Sequence, residues 1–346
     1  MSRFLHLCLL VFTCVCVFVC AAVPLHARAG NALSLQPAQL AIVINDAEPN
    51  SVAVGDYYRQ RRGIPAANVV HVRLPGSPRT LDARNFAALK ADIDAHLGPQ
   101  VQAVLMIWTA PYRVECNAIT GAYTLGFDPA LCARTCLPGR PSPYFNAASA
   151  RPYTDLRMRL SMLLPTTSVT AAKALIDRGA GAGFRTVPAT AYFLTTSDAA
   201  RNARARFFPP AGMVVGRALA TRPLRADTLE GARDVMIYQT GLAEVAKLDT
   251  LGFVPGALAD HLTSFGGDLL GGAQMSSLRW LEAGATASYG TVSEPCSHWQ
   301  KFPHPAVLLR HYAAGNSAIE AYWKSVAWPT QGLFIGEPLA APYGRR

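Results

Sequence analysis

Short apolar runs rich in β-branched residues alternate with amphipathic stretches along most of this chain, and that alternation constrains its fold more than any other feature. Leu40–Ile44, Val69–Leu74, Thr190–Leu194, Val235–Tyr238 and Thr286–Val292 read as strands. Val101–Trp108 is nearly continuous apolar chain, as a strand buried on both faces requires. Between them, Pro49–Arg62 reads as a helix capped by Asn50 or Ser51 and stopped by Gly63. A second helix starts at Asp82 and lines up Phe86, Leu89, Ile93 and Leu97 on one face before Gly98-Pro99. Strands that alternate with helices in this way predict an α/β fold: an open, mainly parallel sheet with helices on both faces. The later chain continues the pattern. Helices are expected at Ser168–Gly179, Asp198–Phe207, Met275–Glu282, Pro305–Ala313 and Ser317–Val326, and strands at Met213–Leu219, Leu258–Ser264 and Leu333–Ile335. The regularity breaks from about residue 112 to 152, a stretch rich in Gly, Pro and Asn that reads as an insertion after the third strand.

Of the 346 residues, only one long run is apolar, and it lies at the start of the chain. Arg3, the run Leu7–Ala22 and the small residues of His26-Ala27-Arg28-Ala29 predict a secretory signal over residues 1–29, cleaved after Ala29. The expected product is an exported, periplasmic or extracellular protein without a membrane span, in which residues 30–346 form one α/β domain. Cleavage would also remove Cys8, Cys14, Cys16 and Cys20. Cys116, Cys132, Cys136 and Cys296 would remain, and four cysteines in an oxidising compartment point to two disulfides with three possible pairings. Three of the four lie in the 112–152 stretch, which is therefore expected to be tied by disulfides.

The formal net charge is +10, and 27 of the 32 basic residues are arginine. They are scattered. The densest group, Arg201, Arg204 and Arg206, falls at helical spacing and reads as a solvated helix face. A nucleic-acid partner is excluded for want of a basic stripe with a reading element. G-x-G-x-x-G after the first strand, G-x-x-x-x-G-K-[ST] and G-x-S-x-G are all absent, so no cofactor is expected.

Functional groups of an open parallel sheet gather beyond the carboxyl ends of its strands. That rule nominates Asn45-Asp46, Thr109–Arg113, Thr196-Ser197-Asp198, Gln239-Thr240-Gly241, Thr263-Ser264 before Gly266-Gly267, and Ser293–His298. Asp46, Asp198, Gln239, Thr263, Ser264 and Glu294 are the binding candidates. A thiol hydrolase would need Cys296 activated by the imidazole of His261 or His298; alternatively Cys296 is one of the disulfide cysteines. Asp260, His261, Glu294, His298 and His304 are suitable metal-ligand types, but none of their spacings is a recognised zinc motif. Alone, His261 is a hydrogen-bonded core histidine in a strand.

Several strings together resemble a family of exported bacterial proteins of unknown function. They are Leu40-Ala-Ile-Val-Ile-Asn-Asp46, Tyr57-Tyr58, Arg62-Gly63-Ile64-Pro65, Leu175-Ile-Asp-Arg-Gly179, Thr195-Thr-Ser-Asp198, Thr263-Ser-Phe-Gly-Gly267, Gly290-Thr-Val-Ser-Glu-Pro295 and Gly336-Glu-Pro-Leu339. The resemblance implies an association with the exosortase protein-sorting system. More distantly, the layout resembles the gingipain branch of caspase-like cysteine peptidases, which implies a caspase-like fold. In that group a His-Gly pair follows one strand and the nucleophilic Cys follows the next. The matching places here hold Gln239-Thr240-Gly241 and Thr263-Ser264, and neither supplies an imidazole or a thiol. The leading expectation is an exported non-peptidase binding or accessory module with a protein, peptide or cell-surface ligand. A cysteine hydrolase using Cys296 and a metal-dependent enzyme at the carboxyl rim are the alternatives.

Overall fold

A computed structural model describes residues 34–183, 185 and 187–344. The signal-peptide reading of residues 1–29 lies outside them. The chain enters at β1 (Leu40–Asn45), whose six residues are all buried, and continues into α1 (Pro49–Arg62). Pro49 occupies the first helical turn, where its missing N–H costs nothing. Gly63 ends the helix in the left-handed conformation at φ 64°, the role its sequence position assigns it. Then follow β2 (Val69–Val72), the short β3 (Thr80–Leu81), α2 (Ala83–Ala95) and β4 (Ala103–Ile107). The Asp82 carboxylate caps α2 by accepting from the Asn85 N–H at 2.8 Å.

The 112–152 stretch carries β5 (Arg113–Val114), β6 (Asn117–Ala118), α3 (Ile119–Leu125) and α4 (Ala130–Ala133), with α5 (Pro152–Leu156) at its end. It leads into β7 (Leu160–Leu164) and α6 (Val169–Ala180). The second half of the chain contains β8 (Ala189–Thr195), β9 (Gly212–Met213), β10 (Leu219–Arg225), β11 (Val235–Thr240) and β12 (Phe253–His261). It closes with α7 (Leu278–Ala283), β13 (Ala287–Thr291), α8 (Pro305–Ala313), α9 (Ala318–Ser325) and β14 (Gly332–Gly336).

Eleven strands form one sheet in the order β2-β1-β4-β7-β14-β13-β12-β11-β8-β10-β9, and β3-β5-β6 form a small second one. The fold class is thus the expected α/β one, an open, mainly parallel sheet with helices. Right-handed crossovers put α1 and α2 on opposite faces, because β1 to β2 and β2 to β4 step in opposite directions.

One pairing was not foreseen. β13 and β14 run antiparallel over five residue pairs, from Ala287 opposite Gly336 to Thr291 opposite Gly332. Each side of this seam is internally parallel apart from the terminal β9, so the two halves of the sheet point in opposite directions. The carboxyl ends of β1, β2, β4 and β7 therefore lie at one rim, and those of β8, β11, β12 and β13 at the other. A single carboxyl rim, as the sequence reading assumed, does not exist.

The 112–152 stretch follows from the same geometry. Because β4 and β7 are parallel, their connection must travel back along the full length of the sheet. It ends beside the rim where β13 finishes, and Cys136 is joined there to Cys296, with Cα atoms 5.3 Å apart. Cys116 and Cys132 close the loop within the stretch, at 5.1 Å between Cα atoms.

Four sequence assignments are corrected, the first being the cap of α1, which is Glu48, while Asn50 and Ser51 lie inside the first turn. Residues 198–207 form two 3-10 turns, Ala199–Asn202 and Ala205–Phe207, rather than one helix. Residues 213–219 are not one strand but the turn of the β9–β10 hairpin. β7 falls where the sequence pattern assigns no element, between the 112–152 stretch and the helix at Ser168, although its five residues are all buried in mid-sheet.

The end of the chain is anchored to its beginning. Glu337, fully buried, accepts from the Tyr58 hydroxyl at 2.7 Å and from Arg62 Nε at 3.0 Å and a terminal guanidinium nitrogen at 2.5 Å. Removing the carboxylate would strand a largely buried guanidinium. Glu337→Ala is expected to lower unfolding stability by about 3–5 kcal/mol, measured by urea denaturation.

Candidate functional site

At the rim formed by β8, β11, β12 and β13, the connections after two neighbouring strands leave in opposite directions, that after β8 towards β9 and β10 and that after β11 towards β12. Such a divergence opens a crevice beyond the strand ends. Here it is spanned by polar contacts. The Thr196 hydroxyl donates to the Gly241 carbonyl at 2.7 Å. A side chain at Gly241 would collide with the Arg201 backbone, its Cβ 2.7 Å from the Arg201 carbonyl carbon, so only glycine lets this turn close. Asp198 accepts from the Arg201 N–H at 3.1 Å and pairs with its guanidinium at 2.6 Å. Arg201 Nε then donates to Thr263 Oγ1 at 3.2 Å, and that hydroxyl donates to Gln274 Oε1 at 2.8 Å. The same amide oxygen takes the Phe265 N–H at 2.8 Å. One polar chain, Asp198-Arg201-Thr263-Gln274, thus crosses the rim. Ser264 sits half-buried beside it, and its carbonyl accepts from the Thr291 hydroxyl at 2.9 Å.

The turn after β12 is laid directly on β13. Gly267 N–H donates to the Thr291 carbonyl at 2.9 Å, and a Cβ on Gly267 would come within 2.6 Å of the Gly290 carbonyl oxygen. Gly267 and Gly290 are both there because no side chain fits between turn and strand, whereas a Cβ on Gly266 would meet only ordinary contacts.

Beneath the rim, Asp260 and Arg204 form a fully buried ion pair. Arg204 also donates to the Thr240 and Asp260 carbonyls at 2.9 and 3.2 Å and to the Pro303 carbonyl at 3.2 Å. Gln239, buried, donates to the second Asp260 oxygen at 2.9 Å. Burial pushes the Asp260 carboxyl up, opposed by the Arg204 charge and the Gln239 bond. The reading of Arg201, Arg204 and Arg206 as a solvated helix face is therefore overturned for Arg204, and Arg201 is half-buried as well. Asp260 was the missed signal: a carboxylate inside an apolar strand must find a cation.

His261 is enclosed by the core. Trp280 Nε1–H donates to its Nδ1 at 2.9 Å, which leaves the ring proton on Nε2 to donate to the Met275 carbonyl at 3.1 Å. Burial pushes its pKa down to about 3. With both nitrogens committed and the ring neutral, it has no means of taking a proton from a nucleophile.

Cys296 lies in a turn with two successive left-handed residues, itself at φ 58° and Ser297 at φ 55°. The Glu294 side chain holds this turn by accepting from the Cys296 N–H at 2.7 Å. The Cys296 sulfur is bonded to Cys136, so it is not a thiol available to His261 or His298. His298 instead donates Nε2–H to the Cys136 carbonyl at 3.1 Å. Lys301, buried just downstream, donates to the Thr135 carbonyl at 2.6 Å, and burial pushes its pKa down to about 8. These contacts make the Glu294–Lys301 segment a clamp on residues 135–136.

The metal-ligand candidates are dispersed among these separate tasks, and His304 caps α8, accepting from the Val307 N–H at 3.4 Å. Among the described residues, no group of three or more His, Cys, Asp or Glu side chains is placed to hold a metal.

The remaining candidates lie at the opposite rim. Asp46 pairs with His71 at 2.7 Å, both half-exposed. Asn45 stitches the strand end to Ala47 and Leu74 through its side chain, and Thr109 accepts the Thr166 N–H at 2.8 Å. Asp46 and Thr109 therefore cannot act together with Asp198, Gln239, Thr263 or Glu294.

Next to the Asp198-Arg201-Thr263-Gln274 chain opens a cleft of about 760 Å³, walled by the loops after β11 and β12. Glu244, Lys247, Asp249, Gln274 and Arg279 line it, so it presents both signs of charge.

No family model matches this chain, and no curated protein matches it. Among solved structures it is similar to the Arg-specific cysteine proteinase gingipain R, with 9% identity and a TM-score of 0.45, over 90% of this chain and 79% of that one. A structure described as a protease has 9% identity and a TM-score of 0.43, over 90% and 80% of the two chains. The complex of the pro- and mature domains of Porphyromonas gingivalis RgpB has 9% identity and a TM-score of 0.39, over 88% and 79%. At this distance the roles of their residues do not transfer to this chain.

The unfolded chain protonates His261 near its ordinary pKa of 6.5 while the folded chain resists protonation down to about 3, so unfolding takes up a proton in that window. Stability from this residue is complete above pH 6.5 and is lost as pH falls, by about 2 kcal/mol at pH 5. Imidazole nitrogen NMR is expected to show His261 as the neutral Nε2–H tautomer at pH 5; a His261 resonance titrating near pH 6.5 would contradict the assignment.

Proposed function

We propose that this protein is an exported binding or accessory module, not a peptidase, which engages a protein or peptide at the rim of Arg201, Thr263 and Gln274 and its adjoining cleft. A cell-surface or protein-sorting setting agrees with the resemblance noted in its sequence. One observation carries the reading: the sulfur and the imidazole that a thiol hydrolase would need are both already committed, Cys296 to Cys136 and His261 to Met275 and Trp280. Among the described residues, the hydroxyls that stand in their place make no hydrogen bond to an imidazole. Thr263 is engaged with Arg201 and Gln274 instead. What the rim does offer is recognition: a half-buried guanidinium, which pairs readily with carboxylates and carbonyls, beside a cleft large enough for several side chains. The two disulfides, Cys116–Cys132 and Cys136–Cys296, support a life outside the cytoplasm.

The test has two arms on the native, unreduced protein. Alkylation mapped by mass spectrometry is expected to leave Cys116, Cys132, Cys136 and Cys296 unmodified, and unfolded casein is expected to stay intact. Peptides selected on the protein by phage display are expected to lose about tenfold in affinity on Arg201→Ala. Casein cleavage that stops when Cys296 is alkylated would overturn the proposal, as would selected peptides indifferent to Arg201→Ala.

A further inference from the structure

The amino ends of β8 and β10 lie at the rim opposite the candidate site, and they carry an unusual surface. Four large apolar side chains are exposed among the described residues, and three of them meet here: Val215 at 97%, Met213 at 64% and Val187 at 60%. Their proximity follows from the pairing. Ala220 opposes Met213 across the β9–β10 hairpin, and Ala189 N–H donates to the Ala218 carbonyl, which brings Val187 alongside.

The hairpin turn is tight. Arg217 N–H returns to the Val214 carbonyl at 3.0 Å, with Gly216 at φ 70° in the position that needs glycine. That geometry holds Val215 at the outermost point, where nothing among the described residues covers it. Behind the turn, Pro209, Val214, Leu309 and Ala313 wall an open, largely apolar groove of about 450 Å³ against α8. Arg217 and Arg310 stand at its border, and no carboxylate lines it. Arg217 is positioned by Nε donating to the Ala313 carbonyl at 2.6 Å, at the end of α8. Arg310 is exposed and makes no ion pair among the described residues.

We propose that this corner docks on an anionic phospholipid surface, the hairpin tip entering the interfacial layer while Arg217 and Arg310 meet lipid phosphates. The charge pattern selects the partner: apolar side chains at the tip with arginines behind them and no acid between match a layer of acyl chains beneath phosphates. Sheet extension by an added strand is a poorer fit. The Val214 N–H to Leu219 carbonyl bond shows that odd-numbered residues of β10 face the open edge, where Pro223 offers no N–H. The surface is separate from the rim proposed to bind peptide, so either proposal can fail without the other.

Hydrogen–deuterium exchange of the intact protein, with and without vesicles, tests it. Phosphatidylglycerol vesicles are expected to slow exchange in residues 212–219 by about tenfold, with phosphatidylcholine vesicles doing little and added salt weakening the effect. Val215→Asp, at a position with no core contact to lose, is expected to abolish the protection without changing Tm. Equal protection by both lipids, none at 212–219, or full protection in Val215→Asp would overturn the proposal. Protection that grows with protein concentration and needs no vesicles would overturn it too, in favour of a second copy of the chain or an acidic protein surface.

Discussion

The antiparallel pairing of β13 with β14 is the constraint on which the rest depends. Each flank of the sheet is a parallel block, and a parallel block puts its functional loops at one end only. Joined by an antiparallel seam, two such blocks present their loops at opposite ends. The seam is built for close approach. Gly332 leaves room for the Tyr289 ring, which would lie within 2.6 Å of a Cβ there, and Gly336 takes φ 126°, which side chains rarely adopt. Tyr289 packs edge-on against Phe334 at 5.0 Å, and Phe334 stacks on Trp323 at 4.3 Å. Aromatic bulk beside glycine lets two backbones meet while the faces above and below remain filled.

Buried charge then fixes which segments meet. Asp260 and Glu337 are both fully buried carboxylates, and each is held by an arginine distant in sequence: Arg204 for the first, Arg62 for the second. Such pairs add little net stability compared with apolar packing, but a broken one is costly, so they penalise mispacked alternatives. Arg204 binds the ends of β11 and β12 to Pro303, just before α8, while Arg62 binds the first helix to the end of the chain. The covalent Cys136–Cys296 bond does the same for the long connection, closing a separation of 160 residues. The rim is thereby cross-linked by fixed contacts. A surface of that kind is suited to recognition by fixed groups, as the Arg201-Thr263-Gln274 arrangement illustrates.

Local rules were legible where the cause is local. The period of the α2 region, Asp82 as its cap and Gly63 as the stop of α1 are matters of neighbouring residues, and each is found in place. Ala199–Phe207 broke the rule because the turn at Gly241 and the burial of Arg204 demand tighter 3-10 geometry than a continuous helix permits. β7 was hidden because Leu160-Ser-Met-Leu-Leu164 has neither β-branched residues nor alternation; it is a strand because its neighbours β4 and β14 require one.

By itself, the sequence determined the α/β class, most element positions and the set of polar residues that follow the strands, since these depend on periodicity and turn chemistry within a few residues. Tertiary structure alone decided the direction of each half-sheet, and therefore which of those polar residues share a rim. It also decided that Cys296 pairs with Cys136 and that His261 is a closed core residue. The physical reason is that strand direction, disulfide partner and side-chain burial are relations between separate segments, from 14 residues apart for His261 and Met275 to 160 for Cys136 and Cys296, and no local pattern encodes them.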